Sequence, residues 1–438
     1  MIGSGFQNIF RVPELKKRLF FTLALLVVYR VGVHIPVPGI DSIALAAFFA
    51  KAKGTLFGLF DMFSGGAFEK LSVFALGIMP YISSSIILQL LTVVVPHLER
   101  LSKEGEQGRK KITQYTRYGT VVLSAIQGFG ISVGLESMVA PGGAPVVMIP
   151  GWAFRLMTVI TLTAGTAFIM WLGEQITERG VGNGISLIIF AGIIVRIPNA
   201  LSNSFHLLST GELGIFMILI MLILMVVVVG VIIFMEQGQR RIPVQYAKRV
   251  VGRRLYGGQS THLPLKINTS GVIPPIFASS IIMFPATIAS FIHVPWVKQI
   301  ADAVMPGKIA YELLFVGFII FFCYFYTAVT FNPVDVSENM KKYGGFIPGI
   351  RPGKKTAEYI DRVLTRITLG GAIYVSAVCV LPSILISQFH VPFYFGGTAL
   401  LIVVGVAIDT MAQMESHMIS RNYEGFLKKG TGKIQGRR

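Results

Sequence analysis

Ten apolar stretches, most of them close to 20 residues long and separated by loops of alternating charge, leave this chain few ways to fold. They fall at about 19–35, 73–94, 117–136, 153–173, 184–198, 213–235, 271–291, 311–331, 364–384 and 398–418. A helix needs about 20 residues to cross roughly 30 Å of hydrocarbon, so the pattern reads as ten helical spans. Lys and Arg crowd the segment before the first span (Arg11, Lys16, Lys17, Arg18) and then every second loop, ending in a basic tail. The loops SMVAPGGAPVVMIPG and ILISQFHVPFYFGGT carry none. By the positive-inside rule both termini and the basic loops are cytoplasmic. The chain is 53% hydrophobic and 14% charged, with mean hydropathy +0.68; soluble domains carry about 25% charged residues. The fold class expected is an all-α polytopic membrane protein. The first apolar run follows Lys16, Lys17 and Arg18 as a signal-peptide core would, but it is longer and others follow it, so it reads as the first span. Cys323 and Cys379 lie inside apolar runs and support neither a disulfide framework nor a metal site.

Ten spans divide into two sets of five, and five is odd, so two homologous halves would be inverted relative to one another. The division expected is 1–200, with the first five spans, and 201–438, with the last five and two large cytoplasmic loops at about 236–270 and 332–363. One internal match supports it. GIMPYISSSIIL from Gly77 opens the second span, and GVIPPIFASSII from Gly271 opens the seventh. Without gaps, Gly77 pairs with Gly271, Pro80 with Pro274, Ile82 with Ile276, Ser85 with Ser279 and Ile87 with Ile281.

A short apolar piece sits oddly before the second span. In FGLFDMFSGGAFEKLS, residues 57–72, the apolar part is only a couple of helical turns long. It cannot span, it is too greasy for a water-exposed loop, and Gly65 and Gly66 cut it from the long apolar run after it. It reads as a re-entrant half-helix.

Within the spans, Ile82 and Ile86 are four apart and share a helical face, as do Ile185 and Ile189. Branched aliphatic side chains converging on an axis offer ions no ligands, and such a constriction excludes water by dewetting. Ser84, Ser85 and Gln89 in the second span, with Asn268, Ser279 and Ser280 at the seventh, supply small polar groups able to hydrogen-bond across an interface that can part. The loops at 236–270 and 332–363 mix basic residues with Gly, Pro and Tyr, as in GQRRIPVQYAKRVVGRRLYGGQ, and suit docking to an acidic protein surface or RNA phosphates; basic loops also touch anionic lipid. No P-loop or HExxH motif occurs, and no catalytic group, cofactor or metal site is expected. Arg30, Arg155 and Asp409 are the clearest charges within spans. A secondary transporter is the alternative that inverted repeats allow, and Asp409 is the one carboxylate that would serve it; an intramembrane enzyme would need paired catalytic groups.

The chain resembles the SecY family, channel subunits of the Sec protein-translocation complex. The resemblance rests on DMFSGGAFEKLSVFALGIMPYISSSIILQLL, EGEQGRKKITQYTRYGT, ITERGVGNGISLIIFAGI, GQRRIPVQYAKR, THLPLKINTSGVIPPIFASSII and GGFIPGIRPGKKTAEYIDRVLTRIT, in that order over nearly the whole length. It implies a bacterial cytoplasmic (inner) membrane channel for unfolded preproteins that bear signal sequences. The half-helix at about 55–68 would be the plug, with Leu56, Phe57, Leu59, Phe60, Met62 and Phe63 as its apolar residues and Gly65 and Gly66 as its hinge. The pore ring would be Ile82, Ile86, Ile185, Ile189, Ile276 and Ile402. The lateral gate would lie between the second and seventh spans. SecA or the ribosome would dock on the basic loops, through Arg240, Arg241, Lys248, Arg249, Arg253, Arg254, Arg351, Lys354 and Lys355. Of these, Arg351 matches the family's arginine important for SecA-driven transport, and Arg253 and Arg254 match positions facing ribosomal RNA. SecE and SecG are the further subunits the resemblance implies.

Overall fold

The computed structural model describes residues 12–46, 61, 64–138, 145–211, 214–246, 249–251, 254–256, 260–291, 308–389 and 397–432. The helices among them are α1 (Pro13–Gly32), α2 (Met79–Val94), α3 (Pro96–Lys103), α4 (Glu106–Ser137), α5 (Trp152–Arg179), α6 (Gly184–Ile194), α7 (Ile197–Ser209), α8 (Ile215–Gln237), α9 (Ile273–Phe291), α10 (Ile309–Thr330), α11 (Pro333–Lys342), α12 (Lys354–Phe389) and α13 (Gly397–Gly432). A helix lies at each of the ten expected spans. Six of the described helices are long and apolar enough to cross a membrane, or seven if the bent pair α2 and α3 is one span. The exposed surface of α8 carries Phe216, Leu219, Leu222, Ile223, Val226 and Phe234. Apolar residues on the outside of a helix mark contact with lipid.

The chain divides into two compact units. The first comprises Met1–Asn203, Ser280–Lys308 and Val406–Arg438; the second comprises Ser204–Ser279 and Ile309–Gly405. In the first unit, α4 packs on α2 and α5, and α5 in turn on α1 and α6. Leu76, Ile86, Leu162, Ile169, Leu172, Ile176 and Ile193 are fully buried there. In the second, α10 and α11 pack on α12, and Ile232 and Phe322 are fully buried.

Several boundaries differ from the hydropathy pattern. The second span does not begin near 73: residues 65–78 form turns and the helix starts at Met79. Gly77 takes φ +57°, a left-handed conformation that stops a right-handed helix from extending upstream. At the other end the helix bends by 100° into α3, because Val95, which precedes Pro96, is extended at φ −97°, ψ 113°. The helices of the third, ninth and tenth spans also run on past the apolar stretch, beginning at Glu106, beginning at Lys354 and ending at Gly432 respectively.

The internal repeat is repeated in local geometry. Gly271 takes φ +64°, matching Gly77, and Pro80 and Pro274 are both the second residue of their helices. Proline is tolerated there because the amide it lacks would have no helical partner.

The helical fold also carries short strands in its loops. The loop at 236–270 carries strands β1 (Gln239–Tyr246), β2 (Arg249–Val251), β3 (Arg254–Tyr256) and β4 (Ser260–Lys266), and β5 (Gly345–Phe346) comes from the loop at 332–363. β1 is central, antiparallel to β4 from Gln239↔Lys266 to Gln245↔Ser260 and to β5 at Gln245↔Phe346 and Tyr246↔Gly345; β2 and β3 form a separate hairpin. Alternation along β1 turns Ile242 and Val244 inward, and they close a core with Leu265, Met340, Ile347 and Ile360. The sheet and α11 are thereby fixed to the start of α12.

Candidate functional site

Helix α1 and the end of α6, both in the first unit, meet at one turn. Asp61 is buried. Its backbone carbonyl accepts from Ser64 Oγ at 3.0 Å and from the Gly66 amide at 3.1 Å, and its Oδ1 accepts from the Glu69 amide at 2.8 Å. Its Oδ2 pairs with the guanidinium of Arg196, just beyond the end of α6. From α1, Arg30 Nη1 donates to the Gly65 carbonyl at 2.8 Å and Tyr29 Oη donates to the Ser64 carbonyl at 3.1 Å. Gly65 itself takes φ +68°, and a Cβ there would come within 2.7 Å of the Gly192 Cα on α6. Only glycine meets both demands. Beyond the turn, Val37 donates to the Leu71 carbonyl and Val73 to the Ile35 carbonyl, each at 2.9 Å, so the segment after α1 and the segment before α2 hold each other. Of the expected plug residues, Leu56, Phe57, Leu59, Phe60, Met62 and Phe63 lie outside the described residues; Gly65 and Gly66 form part of this turn.

Five of the six expected ring residues are buried. Ile82, Ile86 and Ile189 of the first unit are at most 5% exposed, and Ile276 and Ile402 of the second are 6% and 0% exposed. Ile185 is half-buried; its side chain lies beside Gly173 of α5, where an added Cβ would come within 3.1 Å of it.

The polar residues of the second and seventh spans have separate uses. Ser84 donates to the Thr116 carbonyl on α4 at 2.9 Å, so it ties α2 to the third span. Ser85 is half-buried and the Gln89 Oε1 atom is buried. Asn268 Nδ2 donates to Glu236 Oε1 at 2.6 Å and to the Gly271 carbonyl at 3.0 Å, bracing the left-handed glycine before α9. Ser279 donates to the Ile276 carbonyl at 2.9 Å. Ser280 reaches Met79 Sδ at 3.6 Å, a contact from the seventh span to the first residue of α2.

The basic residues split by surroundings. Arg240 and Arg241 are exposed on β1, and Arg351 and Lys354 are exposed before and at the start of α12; among the described residues none of the four is in an ion pair. The Arg351 carbonyl accepts from Thr356 Oγ1 at 3.0 Å, which fixes the backbone and leaves the guanidinium outside. Lys355 pairs with Glu358 at 3.0 Å, and that hydrogen bond holds the Glu358 carboxyl below its ordinary range. Arg249 and Arg254 lie in the β2 and β3 hairpin. Lys248 and Arg253 lie outside the described residues.

Sequence reasoning did not single out Arg196. Its signal was an arginine at the end of a span that the charge pattern assigns to the outer face, where basic residues are uncommon. The charge pattern assigns the span ends that carry Arg30 and Arg155 to the same face. Arg155 makes hydrogen bonds of 2.9 and 2.6 Å to Glu136 Oε2 and lies over the Trp152 ring at 5.3 Å, while Glu136 Oε1 accepts from the Gly151 amide at 2.9 Å. A second missed pair, Arg117 with Glu174, joins α4 to α5 through two 2.8 Å bonds. Asp409 is exposed.

Known proteins match this chain over most of its length. The family model SecY matches residues 72–411. The protein translocase subunit SecY of Pseudomonas aeruginosa is 54% identical over 429 residues, covering 97% of this chain and 96% of the relative. Two solved structures share the fold. One, in which the plug domain of the SecY protein is described as stabilising the closed state of the translocation channel and maintaining a membrane seal, aligns with TM-score 0.66 at 17% identity over 92% of both chains. The other, Sec61 in the canine ribosome-channel complex from the endoplasmic reticulum, aligns with TM-score 0.62 at 16% identity over 92% of both.

Proposed function

The chain belongs to the SecY family, and on that premise we propose that it is a protein-conducting channel. It passes unfolded secretory polypeptides across the bacterial cytoplasmic membrane and releases apolar segments sideways into lipid. The observation that carries the reading is the near-full-length likeness to a translocase subunit. The chain has no energy source of its own. SecA, by ATP hydrolysis, or the ribosome, by elongation, drives the substrate. Both termini and the basic loops face the cytoplasm, where Arg240, Arg241 and Arg351 meet these partners and anionic lipid. SecE and SecG complete the complex.

The mechanism rests on the physical chemistry of the parts. Ile82, Ile86, Ile185, Ile189, Ile276 and Ile402 close around the moving chain; having no polar ligand to offer, they pass a polypeptide while resisting ions. The burial of five of the six supports this role. The segment at 55–68 seals the resting channel from the turn at Gly65 and Gly66. Ser85, Gln89, Ser279 and Ser280 line the seam that parts for signal sequences; the contact of Ser280 with Met79 supports it.

Reconstitution tests the proposal. With its partner subunits in vesicles, and with SecA and ATP, the protein is expected to carry a secretory precursor into a protease-protected space. A soluble protein lacking a signal sequence should stay outside. Deleting 55–68 is expected to leave assembly intact and raise resting ion conductance. Equal protection of both substrates, or of neither, would reject the reading.

A further inference from the structure

One end of the first unit holds apolar side chains outward instead of burying them. Before α5, residues 145–151 run beside the segment after α1. The Asp41 amide donates to the Val146 carbonyl at 3.0 Å, and the Met148 amide donates to the Gly39 carbonyl at 3.2 Å. The Val146 amide donates to the Met138 carbonyl at 3.4 Å, and the Gly151 amide to Glu136 Oε1 at 2.9 Å. The backbone is thus fixed on both sides. Val146 and Val147 are buried, yet Met148, Ile149 and Trp152 are 65%, 78% and 67% exposed. Ile43, two residues beyond Asp41, is 81% exposed. Single exposed apolar residues are ordinary, but a group of them on a braced segment marks a contact surface.

Helix length places this group at the edge of the bilayer. α5 is a candidate span that starts at Trp152 and ends in the polar run EQITER. Its apolar remainder, 152–173, is about 33 Å long at 1.5 Å per residue, against about 30 Å of hydrocarbon. The remainder fills the hydrocarbon, so Trp152 falls at its boundary. Trp152, Leu156 and Ile160 lie four apart on one face of α5 and all are exposed, and this lipid-facing stripe leads straight into Ile149 and Met148. Arg155 is the one charge in 152–173, and Glu136 pairs with it. Residues 145–151 carry no charge, and Asp41 Oδ1 accepts from the Ile43 and Ala44 amides at 2.9 and 3.2 Å.

We propose that Met148, Ile149 and Trp152, with Ile43, form a lip immersed in the membrane interface. Its partner is phospholipid, met at the glycerol level and the upper acyl chains, and it fixes this end of the first unit at that depth. An indole suits the boundary, being apolar over its faces with one N–H for the headgroup side. A protein partner would need donors and acceptors to fix its register, and these four side chains offer only that N–H. The charge pattern assigns the lip to the outer leaflet; its immersion does not depend on the channel reading.

The test uses the complex in phospholipid vesicles, with partner subunits whose tryptophans are replaced by phenylalanine. Trp171→Phe and Trp296→Phe leave Trp152 as the one indole of this chain. Its fluorescence is expected to fall about twofold when the lipids carry bromine high on the acyl chains, as an interfacial ring requires. Bromine near the chain ends should quench it less, and acrylamide in the water should have little effect. Ile149→Asp puts a charge into the lip; it should weaken the bromine quenching and strengthen that by acrylamide. Strong acrylamide quenching with none by bromine would put the lip in water and overturn the proposal. Shielding from both quenchers would mean that protein covers it, and would overturn it equally. Should the tryptophan replacements impair assembly, a polarity-sensitive dye on a single cysteine at Ile149, in a chain lacking Cys323 and Cys379, decides the matter. Blue-shifted emission that brominated lipid quenches supports the lip, and emission that brominated lipid leaves unchanged rejects it.

Discussion

Six arginines of this protein fall into two groups that differ in what binds them. At the ends of spans that the charge pattern assigns to the outer face, Arg30, Arg155 and Arg196 are each tied to an acceptor: a backbone carbonyl, Glu136 and Asp61 respectively. On the basic loops, Arg240, Arg241 and Arg351 are exposed and, among the described residues, in no ion pair. A protein that needed positive charge only for orientation would have no reason to spread it on a folded sheet. Here β1 is built into a small core of its own, with Ile242 and Val244 beneath and Arg240 and Arg241 outside. The first group holds the protein together; the second is kept available for something else.

That contrast is open to attack by mutation, with the largest effect expected on the loops. Arg351→Glu should lower SecA-dependent export about tenfold or more, because reversing a docking charge juxtaposes like charges, while thermal stability and ribosome-driven insertion change much less. Equal loss of both transport modes would break the assignment. Next in size is Gly65→Ala. Its φ of +68° and the close approach of Gly192 predict a loss of about 1–3 kcal/mol, read as a lower melting temperature of the purified complex. Gly66→Ala should cost less, since φ is +88° but no atom lies closer than 3.7 Å to the added carbon. Arg155→Ala should lower the melting temperature only modestly, because the pair is partly exposed, and leave export rates per folded molecule unchanged. The smallest effect belongs to Lys355→Ala: its pair with Glu358 is a solvated i, i+3 contact, and such contacts add little to stability. A large loss of stability there would mean that the loop charges are structural after all.

Much of the fold was legible because hydropathy and charge alternation report directly on the bilayer. The repeat was legible too, since Gly77 and Gly271 share a conformation that few other residues adopt. Other parts were not. The strands were hidden by Pro243, which argues against a strand; it is tolerated because β5 pairs only with Gln245 and Tyr246 and leaves β1 open alongside Pro243. Ser84 looked like a gate residue from its span, but a helix has several faces, and its own points at Thr116. The Asp61 and Arg196 pair joins residues 135 apart in sequence. No local pattern reveals such a partner; only the misplaced sign of Arg196 hinted that it must have one.

The central claim is that a polypeptide passes the buried isoleucines. It is tested most directly by crosslinking. In a complex lacking Cys323 and Cys379, a single cysteine is placed at Ile86 or Ile276, or at the lipid-exposed Val226 as a control. A secretory chain carrying one cysteine is then stalled in transit by a folded C-terminal domain. The account predicts disulfide capture of the chain at Ile86 and at Ile276, dependent on SecA and ATP, and none at Val226. Capture at Val226 with none at either isoleucine would contradict it.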